Sequence, residues 1–284
     1  MLKKIFFAAA LLLASLLNAK PVVIASIAPV EYLAKAVGGD KIEVQSLAKG
    51  DVHSYEPKPN DMKAVAKARI FIAAGLEFEE AWIPRFKASA KNLVVVQSDA
   101  KIAKLKEERG EQAEHDEKHE AHADPHVWLN PMLAITMARN ISDALIDMDK
   151  ANKDFYLENF QKLMNDLLAF DESAKNELAG LKNRKFVVYH PAWGYFAEHY
   201  DLEQISIERS GKEPKIDEMA STLKMIKDEN IKVIFADPNR SQKSAQILAS
   251  QTGAKVELLD PLGYNLLENL KIAVGAIKDA NSPK

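Results

Sequence analysis

Short runs of continuous apolar residues alternate with stretches of helical period along most of this 284-residue chain. In the first half, "PVVIAS" (21–26), "IEVQSLA" (42–48), "RIFIAAG" (69–75) and "LVVVQS" (93–98) have the length and β-branched content of buried strands. Between them, 30–39, 60–68 and 79–90 carry apolar residues at helical spacing. The first of these closes on glycine, and the second has Asn60 or Asp61 as its cap. A further helix begins at Pro131 and runs to 149. The second half repeats the plan: strands at 185–190, 203–208, 233–237 and 255–260 are followed by helical patterns at 193–200, 215–230, 241–252 and 265–279. Such alternation predicts an α/β protein with two βα lobes, each built on a parallel sheet.

Residues 151–181 lie between the halves and contain no Gly or Pro before Gly180. Phe155, Tyr156, Phe160, Leu163, Met164, Leu167, Leu168, Ala174, Leu178 and Leu181 recur at helical spacing. One rigid helix of that length, roughly 45 Å, reaches from one lobe to the other. A break near Phe170–Asp171 would make it two helices, but no turn residue marks one. The expected organisation is a signal peptide (1–19), an N-terminal lobe (20–150), a linking helix (151–181) and a C-terminal lobe (182–284).

The first residues change where this fold is expected to work. Lys3 and Lys4 precede a 13-residue run, Ile5 to Leu17, in which only Ser15 is polar. That run is short for a membrane-spanning helix and suits a signal-peptide core, with cleavage after Ala19. The chain has no cysteine, which excludes disulfides, thiolate metal ligands and a lipid-modified cysteine. A soluble periplasmic protein, expected to be a monomer, is the simplest reading. A net charge of −3 offers no electrostatic footing for nucleic acid, and no phosphate-binding glycine motif is present.

Candidate chemistry comes from asking which polar residues follow the strands, since open parallel sheets bind ligands beyond the carboxyl ends of their strands. His53 lies in the loop after the second strand, His126 at the end of the loop after the fourth, His190 at the end of "FVVYH" and Asp260 at the end of "VELLD". If the two edges face each other, three imidazoles and a carboxylate converge in the cleft, the donor set of a tetrahedral zinc site. Any one of these residues alone would read as a surface or turn residue. Asp124, Glu208 and Asp237 are candidates to accept from the second ring nitrogens, although Asp237 could simply cap the next helix. His199 has no ligand spacing and receives no role. The acidic stretch 106–124 carries His115, His119 and His122 at spacings of four and three, which allows weak accessory metal binding. Its lack of apolar residues equally suits a solvated tether.

At these residues the chain resembles the ZnuA-like, cluster A-I family of solute-binding proteins of metal ABC importers. "HSYEPKPND", "ADPHVWLNP", "VVYHPAWGYF", "ISIERSGKEP" and "LDPLG" match its signature segments, in order, across essentially the whole mature chain. The resemblance implies two βα lobes joined by one long helix, with zinc as transported cargo between the lobes and a membrane permease of a zinc ABC transporter as partner. It maps the metal ligands onto His53, His126, His190 and Asp260. It favours zinc over manganese because the third position is His190, where manganese binders tend to carry glutamate. In zinc members the aspartate can sit back from the metal and leave the fourth place to water, so Asp260 is the least firm of the four. The histidine-rich loop resembles a short form of an insertion common in zinc members.

Two rival functions follow from the site, and a third, an adhesin at the cell surface, is permitted by the signal peptide but asked for by no sequence feature. A manganese or iron receptor of the same family is the nearer one. A zinc-dependent hydrolase is the other, with Glu56 as a conceivable base, but no H-E-x-x-H or G-x-S-x-G motif is present and four protein donors would close the site to water. No catalysis is expected. Metal occupancy is expected to fall as pH drops through the ordinary histidine range, near ~6.5, and metal release to involve small tilts instead of a wide hinge.

Overall fold

The computed structural model describes residues 20–106, 123–208 and 216–281. The expected signal peptide and His115, His119 and His122 fall outside them. The first half contains β1 (Val22–Ala25), α1 (Ala28–Gly38), β2 (Glu43–Ser46), α2 (Pro59–Val65), β3 (Ile70–Ala73), α3 (Glu77–Ser89), β4 (Val94–Gln97) and α4 (Pro131–Met148). A 3-10 turn, Val127–Leu129, precedes α4. The long helix α5 (Lys153–Leu178) leads to β5 (Lys185–Val188), α6 (Gly194–His199), β6 (Glu203–Ser206), α7 (Ile216–Asp228), β7 (Val233–Ala236), α8 (Lys243–Thr252), β8 (Lys255–Leu258) and α9 (Leu266–Asn281).

Both sheets are parallel and share one plan, with strand orders β2-β1-β3-β4 and β6-β5-β7-β8. In each, the chain leaves the first strand to one side and later returns to its other side. The carboxyl ends of β1 and β3, and of β5 and β7, therefore flank a topological switch point, where such sheets open a crevice. The central strands β1, β3 and β7 are buried almost throughout, as their continuous apolar runs require. In the second sheet, alternate residues serve different cores. Phe186, Val188, Val233 and Phe235 join the large core that runs through both lobes, whereas Val187, Ile234 and Ala236 join a smaller one under α7 and α8.

The ladders end sooner than the apolar runs suggest. β5 stops at Val188 and β8 at Leu258, so His190 and Asp260 stand two residues beyond their strands, in the turns that face the crevice. Tyr189 still donates its N–H to Phe235, after which Pro191 turns the chain away. Helix α2 starts at Pro59, with Lys58 in the cap position, and not at Asn60 or Asp61. Asp61 works from within the first turn, accepting from the Lys58 N–H at 2.7 Å and the Tyr55 hydroxyl at 2.9 Å.

Helix α5 is continuous over 26 residues, roughly 39 Å. Its buried stripe, Tyr156, Phe160, Leu163, Leu167, Phe170, Ala174 and Leu178, packs on α1 and α4 near its start and on α9 near its end. Gly39, at φ +54°, lets α5 come close: a Cβ there would stand 2.8 Å from the Phe155 ring. Asp171 is the polar residue that interrupts the stripe. It is buried, and His199 on α6 and Lys175 hold its carboxylate at 2.6 and 2.7 Å. Burial alone would push that carboxyl upward, and these two partners bring it below the usual carboxylate range. The pairing gives His199 a structural place, tying the second lobe to the linking helix.

Further ties cross between the lobes. The Trp128 indole donates to the Pro261 carbonyl at 2.7 Å. The Tyr195 hydroxyl donates to the Asp124 carbonyl and accepts from the Leu105 N–H, both at 2.8 Å. With one apolar core shared by both halves, urea should unfold the protein in a single transition seen alike by probes in either lobe. Leu167→Ala, in the fully buried stripe of α5, should lower stability by about 2–5 kcal/mol without splitting that transition. Two separate transitions would contradict the shared core.

Candidate metal centre

Three histidines meet at the crevice, each delivered by a different local device. His53 sits in the loop after β2. Asp51 shapes that loop by accepting the His53 N–H at 3.1 Å and the Ser54 hydroxyl at 3.2 Å, an Asx-type turn that projects the imidazole outward. His126 closes the loop after β4 and opens the 3-10 turn. Asp124 takes both its backbone N–H, at 2.9 Å, and its ring Nδ1, at 2.7 Å. His190 follows β5, and its Nδ1 lies 2.9 Å from a Glu208 carboxylate oxygen.

One ligand-competent atom from each of His53, His126 and His190 lies within 4.8 Å of the other two. The Nε2 atoms of His53 and His190 stand 3.1 Å apart. Imidazoles bound about 2.0–2.1 Å from a tetrahedral zinc place their nitrogens roughly 3.3–3.4 Å apart, so this spacing suits a single ion. His126 and His190 are buried, and His53 is exposed at the mouth.

The carboxylates decide which nitrogen faces the centre. Asp124 and Glu208 accept from Nδ1–H of His126 and His190, which leaves each Nε2 with a lone pair. Two such lone pairs 3.1 Å apart repel unless a proton or a cation lies between them. In the metal-free protein His53 can supply that proton as the donor to His190. Full ring protonation is disfavoured. Desolvation of the ring edge that meets buried His190, with the neighbouring His126 and the Arg240 charge, outweighs Asp51 and Asp124 and brings His53 down to about 4. Burial, with His126 and His53 adding to it, holds His190 well below the ordinary histidine value. Protons thus compete for these two rings at a lower pH than the ordinary range near ~6.5 suggested by composition.

Asp260 does not join the cluster. One of its carboxylate oxygens accepts from the Asn239 amide at 2.7 Å and from the Leu262 N–H at 2.9 Å. Asp237 holds no ring nitrogen: one of its oxygens accepts from the N–H and the amide of Asn239, at 2.7 and 3.0 Å, and shapes the loop before α8. Glu56 is an exposed residue on the His53 loop. Sequence reasoning missed Arg240, three residues beyond Asp237, whose guanidinium bonds to both Asp51 and Glu208. Its place after β7, on the edge that supplies the other site residues, was the available signal.

The chain matches the family model described as "Zinc-uptake complex component A periplasmic", ZnuA, over residues 23–280. It is 30% identical over 279 residues to the high-affinity zinc uptake system protein ZnuA of Bacillus subtilis (strain 168), covering 91% of this chain and 86% of that one. It is 31% identical over 272 residues to the zinc-binding protein AdcA of Streptococcus pyogenes serotype M3 (strain MGAS315), where the match covers 87% of this chain but 51% of the relative. A crystal structure of ZnuA superposes with a TM-score of 0.87 at 34% identity, covering 93% of this chain and all of the other. The fold, the order of its segments and this match across nearly the whole chain place the protein in the ZnuA family of solute-binding proteins.

Proposed function

We propose that this protein captures Zn2+ in the periplasm and delivers it to the membrane permease of an ABC importer, with His53, His126 and His190 as the metal ligands. The observation that carries this reading is the convergence of three imidazoles from both lobes within 4.8 Å, two of them oriented by buried carboxylates. Residues 1–19 serve as the export signal. Three neutral nitrogen donors suit zinc, whereas manganese and magnesium favour more oxygen. The relatives named for zinc support the same cargo. The fourth coordination place goes to the second carboxylate oxygen of Asp260 or to water. His115, His119 and His122 act at most as a weak gathering loop, rooted beside the site where Leu105 and Asp124 meet Tyr195.

A receptor must bind tightly without retaining its cargo. The carboxylates of Asp124 and Glu208 already aim two of the rings, so little reorganisation of those two opposes zinc entry. His53, the exposed ligand, is the one whose departure opens the site. The family is one of binding proteins, not enzymes.

Elemental analysis of purified protein should find one zinc per chain. His126→Ala or His190→Ala should cut zinc affinity by at least about a hundredfold, since losing even a partner that only orients a ligand costs about ten- to a hundredfold. Asp260→Asn should weaken it far less if water holds the fourth place, and comparably if Asp260 does. Normal zinc affinity in both histidine variants would end the proposal. Deleting 107–122 should leave the tight site intact; loss of all zinc binding would assign the loop the central role. Because His53 and His190 titrate low, zinc affinity measured against a competing chelator should lose little through these two rings between pH 7.5 and about 6. It should fall as pH approaches about 4, where His53 takes up its proton. A tenfold loss between pH 7 and about 6 would show ordinary, unshifted rings.

A further inference from the structure

Arg240 stands where the two lobes meet, on the loop between β7 and α8. One arm of its guanidinium lies 3.3 Å from Asp51 in the first lobe, and the other bonds Glu208 in the second. Neither acid is a bystander. The same Asp51 oxygen accepts the His53 N–H at 3.1 Å, and the other Glu208 oxygen holds the His190 Nδ1 at 2.9 Å. A continuous chain therefore runs from the His53 backbone through Asp51, Arg240 and Glu208 to the His190 ring. It closes on itself where the His53 and His190 Nε2 atoms come within 3.1 Å.

The burial along this chain is graded. Glu208 is 3% exposed, Arg240 16% and Asp51 33%. The inner half fixes His190 in the buried floor of the site, and the outer half reaches the loop that carries the exposed ligand. A cation so near a bound dication would by itself favour release. Here two carboxylates offset its charge, which leaves its geometric effect dominant.

We propose that Arg240 is a positioning residue that clasps the His53 loop to the second lobe and thereby sets the rate at which zinc leaves. The inference rests on the histidine triad being the zinc site. Opening the Asp51–Arg240 contact frees His53 to swing outward while His126 and His190 stay in place. The clasp acts on departure more than on capture, because it holds a ligand already in position.

The test is stopped-flow transfer of zinc from the loaded full-length mature protein to excess chelator. Asp51→Asn keeps an oxygen for the His53 N–H but removes the ion pair. It should release zinc roughly 1.5- to 5-fold faster, the range of a partly exposed ion pair. Arg240→Met should also accelerate release, and adding Asp51→Asn to it should change the rate no further. Added salt should speed release from the wild type and leave Asp51→Asn unaffected, a readout that needs only the milder variant. A wild-type rate for Asp51→Asn, or the same acceleration in both backgrounds, would overturn the clasp alone. Failure of the wild type to hold zinc, or undiminished zinc binding by His190→Ala, would overturn the triad reading and the clasp together.

Discussion

Two buried carboxylate–imidazole pairs organise the rest of this structure around them. Asp124 with His126, and Glu208 with His190, are each short contacts between groups shielded from water. A buried carboxylate needs a partner, and an imidazole Nδ1–H is a good one. Making that bond commits the opposite nitrogen to be a lone pair aimed into the crevice. Because one pair stands at the edge of each lobe, the lobes must keep their relation for the lone pairs to meet. The shared apolar core, the Trp128–Pro261 hydrogen bond and the Tyr195 hydroxyl maintain it.

This constraint also sets what can move. A helix packed along both halves and a core continuous between them oppose a wide hinge. The loop of His53 is the exception. It is exposed, shaped by its own Asp51, and joined to the other lobe through Arg240 and the His53–His190 contact. Under the proposed function, tight capture and timely release fall to different parts of one site: two imidazoles held by buried carboxylates, and a third on a loop that can yield.

Much of this was legible in the sequence because apolar runs and helical periods are local signals. Every expected strand and helix outside residues 1–19 is present, and the repeated plan produced the repeated strand order. The positions after strands pointed to His53, His126 and His190, since parallel sheets expose those turns at one edge. Less was legible where partners are distant in the chain. The unbroken helix α5 was legible from its lack of turn residues, but the role of Asp171 within its apolar stripe was not, because its partner, His199, lies 28 residues away. Asp260 looked equivalent to the histidines, yet Asn239 and the Leu262 N–H occupy one of its oxygens. Arg240 meets Asp51 across 189 residues, a contact no periodicity can announce.

The central claim is that three imidazoles drawn from both lobes surround one zinc ion. X-ray absorption at the zinc edge of the loaded protein, in solution, tests it most directly. The expected spectrum shows a low-coordinate shell of nitrogen and oxygen at about 2.0–2.1 Å, with the outer-ring scattering of three imidazoles and no sulfur. A shell dominated by oxygen, or the signature of a single imidazole, would contradict the account.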